Sequence, residues 1–513
     1  MVSINAANPR VTTILVDLGG VFMHPQLESK LATRESAISL RRIMSTADWM
    51  NYEAGQLSDR ECFDQLAKEY HFQASDLAQV IRNFRETICY DQATASIFKE
   101  IKHSGTRIFL VSNISKEDYA ALRHRWDDEF WSIFDRVFTS SDLGVRKPSL
   151  RFYRHVLRAT RALPHETFFL DDRPENVLAA LSVGMRGTFN MSELYRTLNN
   201  LVGDPVQRGL GFLRRQRGHF PTTTQHGEPI AENYAPLLIL EALKDQSLVN
   251  IKAPPRLWNF FSGQSVITTL SIYKGVTEPV SGDPKYTSDA YPDDLDTTSL
   301  GLLTMPLDSE IVHSILDEML DYIDEDGNVQ AYFDKSRPRV DAVIALNVLT
   351  LFHKYGRGHE LPDTTEWIYS ILLHRAYING TRYYPNAEWF LYYLTRLLRV
   401  SSDPTLRERI ESPLRARVAE RIGAAGDAYC LGMRILACNY LGIENHLDRR
   451  ILAEMQQEDG GWEASCMYLF PGAKRETGNR GASTAFAVKA LKEGPIYRNS
   501  SMGITGAGDN IPR

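Results

Sequence analysis

The feature that most limits how this 513-residue chain can fold is a change of grammar near Asn200. Before that point, short apolar runs alternate with helical stretches. Residues 11–16 read as a buried strand that stops at Asp17 and the Gly19-Gly20 pair. A second strand, Arg107 to Val111, stops at Ser112-Asn113, and a third, Thr167 to Leu170, stops at Asp171-Asp172. Strands alternating with helices predict a parallel α/β sheet. Polar residues recur at the carboxyl ends of these strands, where such sheets bind ligands. Between Glu28 and Tyr90 the pattern is helical, with Ser58 placed to cap a helix whose apolar positions include Cys62, Phe63, Leu66 and Tyr70.

After Asn200 the patterned segments are almost all helical and are joined by Gly/Pro turns. They run Ala231–Asp245, Ser309–Tyr322, Val340–Tyr355, Thr364–Ala376, Ala387–Leu398, Leu406–Ile422, Ala428–Leu441 and Ser483–Leu491. Many are apolar on more than one face, as in helices sandwiched between neighbours. With no strict short repeat, a closed α-barrel is expected rather than a solenoid. The chain therefore reads as multidomain: an α/β body over 1–200, an all-α body over 201–500 and a flexible tail over 501–513.

Composition excludes several classes. Net charge is −6, from 58 basic and 64 acidic residues, so no nucleic-acid surface is expected. The five cysteines, Cys62, Cys89, Cys430, Cys438 and Cys466, are odd in number and have no CxxC spacing. That argues against a disulfide framework or a zinc ribbon and for a reducing compartment. No apolar run approaches the ~18 residues of a spanning helix, and no basic-then-apolar leader opens the chain. A cytoplasmic protein without stable membrane insertion is the expectation. Homo-oligomerisation is left open.

Four pieces in the first body bear on chemistry: Asp17 in VDLGGV, Ser112 in LVSNIS, Lys147 in GVRKPS and Asp171-Asp172 in FFLDDRPENV. Singly each has a bland reading, as a helix cap or a solvated charge. Together, in order, they resemble the haloacid dehalogenase superfamily over roughly residues 10–195, with Phe22–Thr106 (about 22–106) similar to its helical cap. The chemistry is coherent. A carboxylate can attack phosphorus, while a hydroxyl and a lysine offset the charge of the transferring oxygens. A second carboxylate suits Mg²⁺, a hard ion. The resemblance implies Asp17 as nucleophile and metal contact, and Ser112, Asn113 and Lys147 as phosphate contacts. It implies Asp172, Asp171 and the Gly19 carbonyl as further metal contacts. Phosphatases of this family carry an acid two positions after the nucleophile; here that position is Gly19. Such an acid typically contributes ~10²–10⁴-fold.

The second body carries Tyr291-Pro-Asp-Asp-Leu-Asp-Thr-Thr-Ser299. It resembles the DxDD signature of class II terpene cyclases in a DxDTT variant. Those enzymes protonate an alkene or epoxide, and clustered carboxylates help keep one carboxyl protonated. The resemblance implies Asp296 as proton donor and Asp294 as its orienting partner, with Asp293 an extra carboxylate. A class I DDxxD metal site lacks its last Asp here, since Thr297 follows Asp296. A plain helix cap would explain one carboxylate, not the string.

Gln456-x-x-x-Gly460-x-Trp462 is similar to the structural QxxxGxW motif of triterpene cyclases. The acidic run Asp321–Asp326 lacks the closing Glu of an EF-hand, because Phe333 stands in its place. Residues 326–341 and the domain order resemble fungal drimane-type sesquiterpene synthases with a dehalogenase-like N-terminus. A prenyl diphosphate such as farnesyl diphosphate is then the implied substrate. Arg337, Arg339, Lys474, Arg475 and Arg480 are candidates to hold its diphosphate. Dense aromatics, among them Tyr383, Tyr384, Trp389, Tyr392 and Tyr393, suit a cavity that stabilises carbocations, although most aromatics of a helical domain are core. The expected reading is a class II cyclase coupled to a phosphatase. The rivals are a cyclase with an inert N-terminal scaffold, and a phosphatase whose helical half only binds a partner.

Overall fold

A computed structural model describes residues 11–23, 30–32, 37–190, 193–227, 229–262, 292–470 and 475–495. The chain divides into two compact units, Met1–Gly203 and Asp204–Arg513. The expected tail, 501–513, lies outside the described residues.

The first unit is built on a five-stranded sheet. Its strands are β1 (Thr13–Val16), β2 (Arg107–Ser112), β3 (Arg136–Thr139), β4 (Thr167–Leu170) and β5 (Arg186–Thr188). Their order is β3-β2-β1-β4-β5 and every pairing is parallel. Alternation along β1 sends Ile14 and Val16 into one core and Leu15 into the other, so helices cover both faces. Because β1 lies between β2 and β4, Val16 faces both Leu110 and Leu170. The loops leaving these three strands therefore open at one place, the switch point where such sheets bind ligands.

A separate apolar cluster, from Ile38 to Ile81, forms the cap. Its helix Asp59–Tyr70 starts with a capping box between Ser58 and Glu61, and Cys62, Phe63 and Leu66 are buried. The helix Gln92–His103 does not belong to the cap, contrary to the expected span of about 22–106. Its Ala95, Phe98 and Ile101 pack into the core of the sheet, so the cap ends before it.

In the second unit, the helix Tyr234–Leu243 packs on Leu295–Thr304, which packs on Ala342–Lys354. The series continues through Ala387–Val400, Ala428–Leu441 and Arg480–Lys492, and the last returns to the first. This ring is the closed barrel. Residues 342–352, 387–398 and 428–441 are buried without interruption, which is why their sequences show no polar face.

Outer helices, including Pro205–Arg215 and Pro404–Ala419, brace the ring. A four-stranded antiparallel sheet joins Thr222–Thr224 and Pro229–Ile230 to Cys466–Phe470 and Arg475–Asn479. The glutamine motif is structural. Gln456 Nε2 donates to the carbonyls of Pro205 (2.9 Å) and Gly460 (2.8 Å), and Trp462 Nε1 to that of Leu452 (2.7 Å). Gly460 has φ +87°, and a Cβ there would lie 2.5 Å from the Arg208 carbonyl oxygen. No described helix is long and apolar enough to cross a membrane.

Candidate active sites

The strand ends of the first unit bring Asp17, Lys147 and Asp171 together. Lys147 is buried, with Nζ 2.8 Å from Asp17 Oδ1 and 2.6 Å from Asp171 Oδ2. It also donates to the Val111 carbonyl at 2.9 Å. Asn113 holds the lysine segment from both ends of its amide: Nδ2 donates to the Lys147 carbonyl (2.9 Å) and Oδ1 accepts from the Lys147 N–H (2.8 Å). Its place is thus that of a brace for Lys147. Burial pushes the Asp17 carboxyl up to about 7; Lys147 opposes the rise and Asp171 adds to it.

Asp171 also accepts from Asn176 Nδ2 (2.9 Å) and the Arg173 N–H (2.9 Å), whereas Asp172 is exposed. The three carboxylates offer oxygens within 4.8 Å of one another. Asp171 is engaged at both oxygens, Oδ2 by Lys147 and Oδ1 by Asn176 and the Arg173 N–H, whereas Lys147 reaches Asp17 at Oδ1; Asp17 and the exposed Asp172 are the pair that fits a hard divalent cation. Gly20, at φ +71°, is required by that geometry, because a Cβ would lie 2.3 Å from Asp172 Cγ. Gly19 differs: a Cβ there would meet nothing within 4 Å.

These residues, Asp171 apart, line a cleft of about 360 Å³ that also contains Ser112. Its other wall is apolar and comes largely from the cap: Leu40, Met44, Trp49, Ile81 and Phe84. Two further carboxylates line it, each held by arginine. Glu53 pairs with Arg146 at 2.7 Å and Asp118 with Arg85 at 2.7 Å.

In the second unit the acidic motif opens a helix. Asp294 is the N-cap of Leu295–Thr304, its Oδ1 accepting from the Thr297 N–H at 2.6 Å. Its Oδ2 is buried without a partner among the described residues. Asp296 sits in the first turn, 3% exposed, held by two neutral donors. Asn347 Nδ2 donates to Oδ1 at 2.5 Å and the Tyr384 hydroxyl donates to Oδ2. Asp293 stands apart, accepting from Asn259 Nδ2 at 3.2 Å.

Burial raises Asp294 to about 8, with the Asp296 charge the next cause. Burial raises Asp296 to about 6, opposed by the bonds from Tyr384 and Asn347. Asp341, the N-cap of Ala342–Lys354, adds a further like charge to the Asp296 rise, and Arg396 opposes it.

A polar cluster surrounds Asp296. The Tyr234 hydroxyl lies 2.6 Å from that of Tyr384 and 2.8 Å from that of Tyr393. Arg396 donates to Asn347 Oδ1 at 2.7 Å and, through Nε, to Glu241 at 2.8 Å. Sequence reasoning missed Asn347 and Arg396. The available signal was a polar residue within a mostly apolar, continuously buried stretch, Asn347 in 342–352 and Arg396 in 387–398.

Of the five cationic candidates, Arg337 and Arg339 lie on a loop fixed beside the motif, where Leu295 N–H donates to the Ala331 carbonyl (2.9 Å) and Phe333 N–H to that of Asp293 (3.0 Å). Arg339 is exposed, and Arg337 lies 3.3 Å from Asp334. Arg480 is withdrawn from the set. Its guanidinium is bidentate to Asp459 (3.0 Å each) and donates to the Trp462 carbonyl (3.1 Å), so it braces the glutamine loop. Lys474 and the side chain of Arg475 lie outside the described residues.

Comparison with known proteins divides the chain at the same place. Residues 206–278 and 273–355 match the sesquiterpene cyclase astC-like C-terminal domain, and residues 8–184 match the haloacid dehalogenase-like hydrolase family. The drimenol cyclase drtB of Aspergillus calidoustus is 38% identical over 502 residues, spanning 97% of this chain and 91% of that protein. The sesquiterpene phosphatase astK of Aspergillus oryzae is 31% identical over 175 residues, covering 34% of this chain and 86% of that one. Among solved structures, a predicted dehalogenase-like hydrolase from Porphyromonas gingivalis aligns with 35% of this chain and 90% of its own, at 19% identity and a TM-score of 0.28.

Proposed function

The chain belongs to the family of drimane-type sesquiterpene cyclases with a haloacid dehalogenase-like N-terminal unit, an enzyme with cyclase and phosphohydrolase domains, and from that premise we propose that it makes a bicyclic drimane-type diphosphate from farnesyl diphosphate and then removes its terminal phosphate. The observation that carries the cyclase half is Asp296: a buried carboxyl with a raised pKa, held among the described residues by two neutral donors. Such a group suits transfer of a proton to the distal alkene of an isoprenoid. The alkene's electron pair takes the proton, leaving a tertiary cation. Two ring closures follow, and loss of a proton gives a drimenyl or albicanyl skeleton with its diphosphate intact. Asp294, capping the helix, holds the acid-bearing turn in place. Arg337 and Arg339, on the loop fixed beside the motif, would meet the diphosphate.

In the first unit Asp17 attacks the terminal phosphorus and the bicyclic monophosphate departs. Water then hydrolyses the aspartyl-phosphate. Lys147 and Ser112 bind the transferring oxygens. Asn113 keeps Lys147 in place. Asp17, Asp172 and the Gly19 carbonyl would hold Mg²⁺, which would offset phosphoryl charge. The apolar cap wall over a polar floor supports an isoprenoid phosphate as substrate. Gly19 supplies no proton, and Glu53 and Asp118 are tied to arginines. A leaving group with a second pKa of about 6 needs none. The product of this site is therefore mainly the monophosphate.

An inert scaffold is the rival reading, resting on Gly19. Phosphate release by wild type and not by Asp17→Ala would reject it. Phosphorus NMR of the reaction tests the whole scheme: one inorganic phosphate per product with a persisting monoester signal is expected, and rapid complete conversion to alcohol would contradict it.

A further inference from the structure

Asp296 gives up a proton in each cyclisation and must regain one before the next, a requirement that rests on the cyclase reading above. We propose that the buried hydroxyl chain Tyr393–Tyr234–Tyr384 is the path along which Asp296 is reprotonated. The contacts are continuous. Tyr393 and Tyr234 hydroxyls are 2.8 Å apart, Tyr234 and Tyr384 hydroxyls 2.6 Å apart, and Tyr384 reaches Asp296 Oδ2. Tyr384 and Tyr393 are fully buried and Tyr234 is 1% exposed, so the chain carries the proton past a dry core.

A phenol both donates and accepts, which gives the chain two consistent orientations. With Asp296 ionised, Tyr393 donates to Tyr234, Tyr234 to Tyr384 and Tyr384 to Asp296. With Asp296 protonated, every bond reverses. In passing between the two, each oxygen loses one proton as it gains another, and Asp296 gains one net. The proton comes from solvent and reaches the chain at its Tyr393 end, where Arg396 lies over the ring and pairs with the partly exposed Glu241. The cyclised cation returns one proton to solvent per product, so the cycle balances without another reactant. Burial raises the pKa of Tyr234 and Tyr384 well above that of an ordinary phenol, so the chain passes a proton without resting as phenolate.

The surrounding groups fit this role better than packing alone. A buried hydroxyl costs stability unless bonded, and phenylalanine would fill the same space. Arg396, bonded to Asn347 Oδ1, turns the amide N–H₂ toward Asp296 (2.5 Å) and the Tyr234 hydroxyl (3.4 Å). The Arg396 guanidinium lies 4.3 Å over the Tyr393 ring and pairs with Glu241, whose side chain is 20% exposed. The cluster thus runs from Asp296 to the edge of solvent.

Tyr234→Phe keeps the ring, removes the central hydroxyl and leaves both partners of Asp296 in place. Rapid quenching below pH 6, with enzyme in excess over farnesyl diphosphate, reports the first proton transfer, from Asp296 protonated before mixing. Excess substrate reports turnover. The variant should keep its first-turnover rate within about threefold of wild type while steady-state kcat falls by about tenfold or more. Tyr393→Phe, farther from the acid, should behave alike and serves if the first variant does not fold. Both rates falling together, or neither falling, overturns the relay. Absence of bicyclic product from wild type would instead overturn the cyclase reading itself.

Discussion

Gly19→Asp should turn the first unit into a far better monophosphatase. Hydrolysing an alkyl monophosphate expels an alkoxide, which needs a proton in the transition state, and a positioned acid typically contributes ~10²–10⁴-fold. At about 1.4 kcal/mol per tenfold, that is roughly 3–5 kcal/mol off the barrier. The structure accommodates the change. A Cβ at residue 19 meets nothing within 4 Å, and residue 19 is not among the positive-φ positions that strain side chains. It lies two residues beyond Asp17 in the wall of the same cleft. Farnesyl monophosphate and p-nitrophenyl phosphate together make the assay decisive. Nitrophenolate leaves without a proton, so its release should change little, while farnesol release should rise toward the ~10²-fold lower bound or beyond. Equal gains on both substrates, or no gain on farnesyl monophosphate from a folded variant, would refute the reasoning.

Gly20→Ala, one residue on, should abolish phosphate release yet spare cyclisation, because its Cβ would overlap Asp172 at 2.3 Å; mass spectrometry should find the bicyclic diphosphate intact. Asp17→Ala should accumulate the same diphosphate, and loss of the bicyclic skeleton in that variant would contradict the division of labour. Cyclisation should fall as pH rises, because only protonated Asp296 donates and that form declines about tenfold per unit above its pKa, placed at about 6. Initial rates that climb with pH through neutrality would contradict this. Trp462→Ala should cost about 3–5 kcal/mol in denaturant unfolding, since it empties a fully buried site, and a cost below about 1 kcal/mol would deny the glutamine loop its structural role.

What was legible in the sequence was local. The strand ends at Asp17, Ser112 and Asp171 could be read because apolar runs and the polar residues that end them are adjacent in the chain. The barrel followed from helices apolar on more than one face. The helix Leu295–Thr304 was not foreseen, because Asp, Thr and Ser at its start favour caps and turns as much as helices. The strands β3 and β5 are short and carry exposed or half-exposed residues, which hides their alternation. What surrounds Asp296 was out of reach for a different reason. Asn347 and Tyr384 lie 51 and 88 residues away, and only the closure of the helical ring brings them to the carboxylate. Arg480 looked like a phosphate ligand because a guanidinium is equally suited to a carboxylate; only the fold reveals that Asp459 holds it.

The central claim is that Asp296 starts the reaction by protonating an alkene. Incubation with farnesyl diphosphate in D₂O, followed by mass spectrometry and NMR of the product, tests it most directly. Wild type should give a bicyclic product with a single solvent deuterium on the ring carbon next to the gem-dimethyl centre, and Asp296→Asn should give none. Bicyclic product without deuterium, or labelled product from Asp296→Asn, would contradict the account.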